Sequence, residues 1–407
     1  MLWLYNIAIQ LYSLIIGIFS TFNTKASLFV NGRRNIFEKI AKKINPKTKH
    51  IWFHFASLGE FEQGRPVLEL LKEQYPQKKI IITFFSPSGY EIRKNYVLAE
   101  GIFYLPLDTA ANAQRIITAF NPEVVIFTKY EYWFHYFRAL NDRKIPLLII
   151  SGIFRPNQVF FKPYGSFNRK ILSYVSHFFV QNEESIELLK SINIQNATLS
   201  GDTRFDRVAE NAATPKKLNI IERFCGDSPV LIAGSTWLPD EQLITQLCKK
   251  YPEWKFIIAP HEIGISHIQE IEKLFPQAIK YSTFATEEPT AHQEQTMIID
   301  NIGMLSSLYA FGKIAYIGGG FGVGIHNTLE AAAFGIPVIF GPKYDKFQEA
   351  KDLINAGAAK SINDFNELET AFLTLTESSK PGQIAKDYVA SKTGSTDQIV
   401  KYLSKYL

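Results

Sequence analysis

The acids whose setting could support chemistry are few. Glu60 lies in "FHFASLGEFEQGRP" (residues 53–66), where an apolar strand pattern gives way to a helix. A carboxylate at a helix entry either complements the helix dipole or accepts a proton from an attacking hydroxyl. The dipole lowers its pKa, so the second role requires desolvation. Glu62, two residues on, reads as a helix-surface acid. Glu131 in "TKYEYW" (128–133) directly follows another apolar run, where it could orient a substrate or compensate charge. A third stretch, "GGGFGVGIHNTLEAAAFGIPVIFGP" (318–342), sets glycines between the apolar run 314–317 and a helix expected from about Ile325, carrying Leu329, Ala332, Ala333 and Phe334. Glycines let backbone approach a ligand, and a helix start offers N–H groups to an anion. A tight turn alone needs fewer glycines. Glu330, near that helix start, could take two hydrogen bonds from the vicinal hydroxyls of a ribose, with phosphate on the backbone N–H groups.

Other chemistries lack their residues. No G-x-G-x-x-G, no G-x-x-x-x-G-K-[ST] and no Asp-x-Asp pair occurs where a dinucleotide or a metal-bound diphosphate needs one. Cys225 and Cys248 have no metal-ligand spacing. Neither a metal nor a cofactor is therefore expected. A net charge of +5 over 407 residues is far from a nucleic-acid-binding signature.

The elements that must hold these residues alternate between strand and helix. Strand patterns fall at 51–55, 79–85, 123–127, 146–150 and 177–180, with helical patterns such as 62–75 and 88–99 between them. After the polar stretch "AENAATPKK" (209–217) the rhythm restarts at 229–233, 255–259, 296–299, 314–317 and 337–340. Such alternation predicts an α/β protein of two doubly wound, Rossmann-like parallel-sheet domains facing a central cleft. Ligands then sit beyond the carboxyl ends of the strands. That rule selects the loops "AGSTW" (233–237), "APHE" (259–262) and "DNIGML" (300–305) beside the glycine stretch.

Residues 2–20 carry no charge, and Lys25, Arg33, Arg34, Lys39, Lys42, Lys43, Lys47 and Lys49 follow against the single acid Glu38. This asymmetry predicts an N-terminal membrane helix, spanning or interfacial, with the rest of the chain on the cytoplasmic side against an anionic surface.

Taken in order, "HFASLGEFEQGRP", "TKYEYW", "GDTRFD", "AGSTW…DE" and "HNTLEAAAFGIPVIFGP" resemble the 3-deoxy-D-manno-octulosonic acid (Kdo) transferases of lipopolysaccharide assembly over nearly the whole chain. The resemblance implies a metal-independent glycosyltransferase of the GT-B type at the cytoplasmic face of the inner membrane. Its substrates would be CMP-Kdo and a lipid A precursor. It also implies Glu60 as the base, with Glu131 and the basic residue of "GDTRFD", here Arg204, acting at the transition state. Contacts to CMP would come from Pro260 and His261, from Ile302, Gly303 and Met304, and from Asn327, Thr328, Leu329 and Glu330. His261 stands where the family has arginine, Arg204 where it has lysine, and Met304 where it has glutamate. The expected division is an anchor helix (1–21), an acceptor domain (22–208), a linker (209–225) and a nucleotide-sugar domain with C-terminal helices (226–407). A UDP-sugar transferase or epimerase of the same build, and a silent membrane-attached nucleotide-binding protein, are the alternatives.

Overall fold

Runs rich in isoleucine, valine and phenylalanine, buried on both faces, form the strands of a computed structural model that describes residues 1–286 and 294–407. Among the described residues the strands make two sheets of seven, all pairs parallel. The first contains β1 (His50–Phe55), β2 (Lys79–Phe84), β3 (Gly101–Tyr104), β4 (Pro122–Thr128), β5 (Leu147–Gly152), β6 (His177–Val180) and β7 (Ala197–Leu199), in the order β3-β2-β1-β4-β5-β6-β7. The second contains β8 (Val230–Thr236), β9 (Lys255–Pro260), β10 (Ile279–Lys280), β11 (Thr296–Ile298), β12 (Ile314–Ile317), β13 (Val338–Phe340) and β14 (Ala359–Ser361), in the order β10-β11-β9-β8-β12-β13-β14.

Strand order reverses between β1 and β4 in the first sheet and between β8 and β12 in the second. At such a switch point the two following loops diverge and leave a crevice for a ligand. The helix start after β1 carries Glu60, and the loop after β4 carries Glu131. The loops after β8 and β12 carry Trp237 and the glycine stretch.

The chain forms two units, Met1–Asp206 with Thr393–Leu407, and Arg207–Lys392. This differs from the expected division at the C-terminus. The helix Ser395–Leu403 belongs to the first unit, where Ile399, Val400 and Leu403 are fully buried in its core. Asp206 fixes the start of that segment by accepting from the backbone N–H groups of Gly394 and Thr396 at 2.6 and 2.8 Å. The stretch expected as a linker contains the helix Asn219–Cys225, with Ile221 and Phe224 buried.

The helix Leu2–Phe19 is long and apolar enough to cross a membrane by length and composition. One face packs on the first unit. The Tyr5 hydroxyl donates to Asp108 Oδ2 at 2.6 Å, and Asn6 Oδ1 lies 2.7 Å from His135 Nε2. Trp3, Leu14 and Ile18 on its other sides are exposed.

Candidate active site

The helix Leu58–Gln74 begins four residues before the expected start, so Glu60 sits in its first turn. Its Oε2 accepts from the Ala56 N–H at 2.5 Å, closing the turn out of β1. The dipole argument predicts a lowered pKa, and the structure reverses it. Burial, aided by the nearby Glu131 charge, pushes the Glu60 carboxyl up to about 7, while the Ala56 N–H and the Lys129 ammonium pull the other way. Desolvation thus exceeds the dipole at this position.

Glu131 is held by two side chains that the sequence reading did not select. Trp133 Nε1 donates to Glu131 Oε2 at 2.6 Å, and His54 Nε2 makes a longer contact of 3.5 Å to the same oxygen. His54 is fully buried, which lowers its pKa and keeps it neutral. Trp52 Nε1 donates to Thr83 Oγ1 at 2.7 Å, and His54 Nδ1 lies 2.9 Å from the same hydroxyl, which also reaches the Phe53 carbonyl at 3.4 Å. A lone histidine inside an apolar strand was the available signal. Lys129 and Ser151, at the ends of β4 and β5, both have left-handed backbone, with φ of 66° and 51°. Such strain is tolerated where surrounding structure fixes the chain, as it does around functional loops.

Arg204 opens the helix Arg204–Ala213, and its Nε donates to Asp202 Oδ2 at 2.9 Å. Asp202 is itself buried and also accepts from Gln63 Nε2, at 3.2 Å to Oδ1, which ties Arg204 to the Glu60 helix.

In the second unit the glycine stretch is built differently from expectation. The helix spans only Leu329–Ala333, so 325–328 are not helical. A methyl group at Gly318 would collide with the backbone of Ser235 and Thr236, and one at Gly320 with Gly341. The consecutive glycines therefore let three strand-end turns pack backbone to backbone. Several N–H groups are already used within the fold. Gly319 N donates to Asp240 Oδ2 at 3.0 Å, Gly322 N to Gly319 O at 2.9 Å, and His326 N to Gly318 O at 3.2 Å.

Asp240 organises this end of the sheet. It also accepts from Trp237 N at 2.9 Å and from the Tyr316 hydroxyl at 2.8 Å. Trp237 lies over His261, with ring centroids 4.9 Å apart, and His261 stacks on His326 at 4.3 Å. Trp237 Nε1 is 3.4 Å from His326 Nε2, which must accept. Burial and the neighbouring His261 bring the His326 pKa down to about 4. Trp237 and His326 are further residues of the site that sequence reasoning missed, although both lie in loops it selected.

Asn327 Nδ2 donates to Glu330 Oε1 at 3.0 Å, and Asn327 Oδ1 accepts from Leu329 N at 3.1 Å. Glu330 is partly exposed, whereas the side chains of Thr328 and Leu329 are buried. Those two would meet a ligand only through backbone. Pro260 ends β9, with His261 exposed after it. Ile302 and Gly303 lie exposed in the loop after β11, and Met304 is the residue before the short helix Leu305–Leu308.

Residues 32–207 match the family model of 3-deoxy-D-manno-octulosonic-acid transferase (kdotransferase). The chain is 27% identical to the 3-deoxy-D-manno-octulosonic acid transferase of Aquifex aeolicus, over 80% of this chain and 85% of that protein. It is 28% identical to the transferase of the same description from Chlamydophila psittaci, over 77% and 75%. In fold it is similar to the UDP-GlcNAc 2-epimerase of Neisseria meningitidis solved with UDP-GlcNAc, at a TM-score of 0.60 and 19% identity, over 88% of this chain and 100% of that one. With two doubly wound units of the GT-B type, a match to the Kdo transferase family model over residues 32–207 and relatives of that description that match most of its length, the chain is a glycosyltransferase similar to the Kdo transferases.

Proposed function

We propose that the enzyme transfers Kdo from CMP-Kdo to a hydroxyl of a lipid A precursor by a single, inverting displacement that needs no metal. The observation that carries this reading is Glu60, whose carboxyl has a pKa of about 7 at the loop after β1. A base near neutrality is matched to taking a proton from a sugar hydroxyl. The acceptor oxygen bonds to the anomeric carbon as the bond from that carbon to the CMP phosphate oxygen breaks. The hydroxyl proton goes to Glu60, and CMP leaves with the electron pair. Attack from the face opposite CMP inverts the centre. Glu131 sustains the basicity of Glu60, and Arg204 offers a cation to negative charge that develops on the phosphate. CMP is a good leaving group, so fixed cations suffice without a Lewis acid. Glu330, oriented by Asn327, suits ribose hydroxyls, and the exposed His261 suits phosphate.

The packed face of Leu2–Phe19, held by Tyr5 and Asn6, favours a helix lying in the membrane interface over one that crosses it. A lipid acceptor would be met there, on the cytoplasmic side of the inner membrane. The test is to incubate the full chain with CMP-Kdo and a lipid A precursor in EDTA and weigh the product. Kdo added to the lipid is expected. Turnover of a UDP-sugar instead, or turnover only with metal restored, would overturn the reading.

A further inference from the structure

A cavity of about 600 Å³ in the first unit is untouched by the chemistry above. The helix Leu2–Phe19 contributes Ile16 to its wall, the helix Thr24–Arg33 contributes Phe29, and the guanidinium-bearing residues are Arg33, Arg34 and Arg115. One acid, Glu38, reaches the same lining.

The arginines are short of anions. Arg33 donates to three backbone carbonyls, Leu105 O at 2.8 Å, Phe29 O at 3.0 Å and Phe85 O at 2.7 Å, and lies 3.5 Å from the Phe29 ring centroid. Those contacts satisfy its donors, and the one carboxylate that acts on its charge is Glu131, which forms no ion pair with it. Burial lowers its pKa to about 10, the mark of a cation held away from water. Arg115 lies over the Phe37 ring at 3.7 Å, and both Arg34 and Arg115 are exposed at the rim, so only Arg33 is a largely buried charge. None of the three forms an ion pair with a carboxylate among the described residues. Buried charge is normally paired, and guanidinium forks match phosphate oxygens in pairs.

The wall supplies the second half of the argument. Beside the arginines Ile16, with Ser13 and Gly17, lines the wall from a helix whose other faces expose Trp3, Leu14 and Ile18. An anion bound here would have an apolar body lying along that helix. We propose that this cavity is a headgroup site for an anionic membrane phospholipid, its phosphate on Arg34 and Arg115 over the fixed charge of Arg33 and its acyl chains along Leu2–Phe19. The proposal deepens the interfacial reading of the helix and rests on it.

Two measurements on the full chain test it. Flotation with phosphatidylcholine vesicles, with and without phosphatidylglycerol, compares wild type, Arg34→Gln with Arg115→Gln, and Lys42→Gln with Lys43→Gln. The lysine pair removes equal charge from the neighbouring helix Ile36–Lys43. Diffuse attraction to an anionic surface is worth about 1 kcal/mol per basic residue, or roughly fivefold each. The arginine pair is expected to lose tenfold more affinity than the lysine pair. Equal losses overturn the site, whereas failure of wild type to float at all overturns the interfacial reading beneath it. Calorimetry with dihexanoyl phosphatidic acid below its micelle concentration is expected to show binding that Arg34→Gln with Arg115→Gln abolishes. Inorganic phosphate binding equally well, or a lipid A precursor displacing the short lipid, would assign the cavity to another anion and overturn the phospholipid.

Discussion

Glu60 and Glu62 are two residues apart in one helix turn and meet opposite environments. Glu62 is surface-facing and paired, at 2.6 Å with Arg93 and 3.3 Å with Arg65. Glu60 is desolvated beside a second carboxylate, Glu131. The sequence made both positions legible and set desolvation as the condition for Glu60 to act as a base, but not that the fold itself supplies it. A helix dipole is worth about 0.3–1 kcal/mol, while a rise from the ordinary carboxylate value to about 7 corresponds to roughly 3 kcal/mol. The desolvation arises from how the chain folds around the acid, and no local pattern encodes that. Glu60→Gln is expected to lose turnover by a factor of about 10²–10⁴ with CMP affinity unchanged, and Glu62→Gln to be nearly silent. The acid limb of kcat/KM should lie near pH 7 in wild type. In Glu131→Gln it should move to lower pH, because the repelling charge is gone; an unmoved limb would take Glu131 out of the coupling. Stability carries the same sign. A carboxyl with a raised folded pKa loses stability as pH rises from its ordinary value through about 7, so Glu60→Gln should melt higher than wild type at pH 8 and not at pH 4.

At the level of elements, the expected strands correspond to the ten interior ones. The four that went unread, β3, β7, β10 and β14, are the edges of the two sheets. Interior strands are buried on both faces and read as apolar runs. Three of the edges, Ala197–Leu199, Ile279–Lys280 and Ala359–Ser361, are short and partly exposed, so their signal falls to the level of a loop. Gly101–Tyr104, by contrast, is buried throughout, and exposure does not explain its being missed. The glycine stretch was legible as a place of close approach but not as to what approaches, which proves to be the neighbouring strand ends. Asp240 binds these turns together, since its Oδ2 takes the N–H groups of Trp237 and Gly319 while its Oδ1 takes the Tyr316 hydroxyl. An asparagine can keep its oxygen on the two N–H groups and donate its amide to Tyr316, whose hydroxyl turns to accept. Asp240→Asn should therefore cost little, and Asp240→Ala several kcal/mol at about 1–3 kcal/mol for each donor stranded. Asp240→Ala combined with Tyr316→Phe should cost less than the sum of the two single changes in urea unfolding, because both remove the same hydrogen bond. Additive losses would show that the carboxylate does not span the two elements in this way.

Across the whole molecule, the polar stretch 209–217 marked the change of unit, but nothing local marked the return of the chain. An amphipathic helix reads the same whichever core it covers, and the helix Ser395–Leu403 covers the first. Its Ile399, Val400 and Leu403 are fully buried there, beside the core residues Val67 and Leu71 of the Glu60 helix. Burying each of these three aliphatic side chains contributes about 1.5–3 kcal/mol. Their combined loss is comparable to the entire margin of a domain, about 5–15 kcal/mol. Truncation after Lys392 would also strip Asp206 of two backbone donors and remove the Ser395 hydroxyl from the Ser200 carbonyl. Those losses fall in the unit that carries Glu60, whereas Arg207–Lys392 keeps its own sheet and its own core. The truncated chain is therefore expected to lose turnover and to be cleaved readily by protease within residues 1–206. It should still bind CMP through its second unit with near-normal affinity by calorimetry. Wild-type turnover and protease resistance after the cut would mean that the C-terminal helix is dispensable to the first unit, and loss of CMP binding would mean that it supports the second.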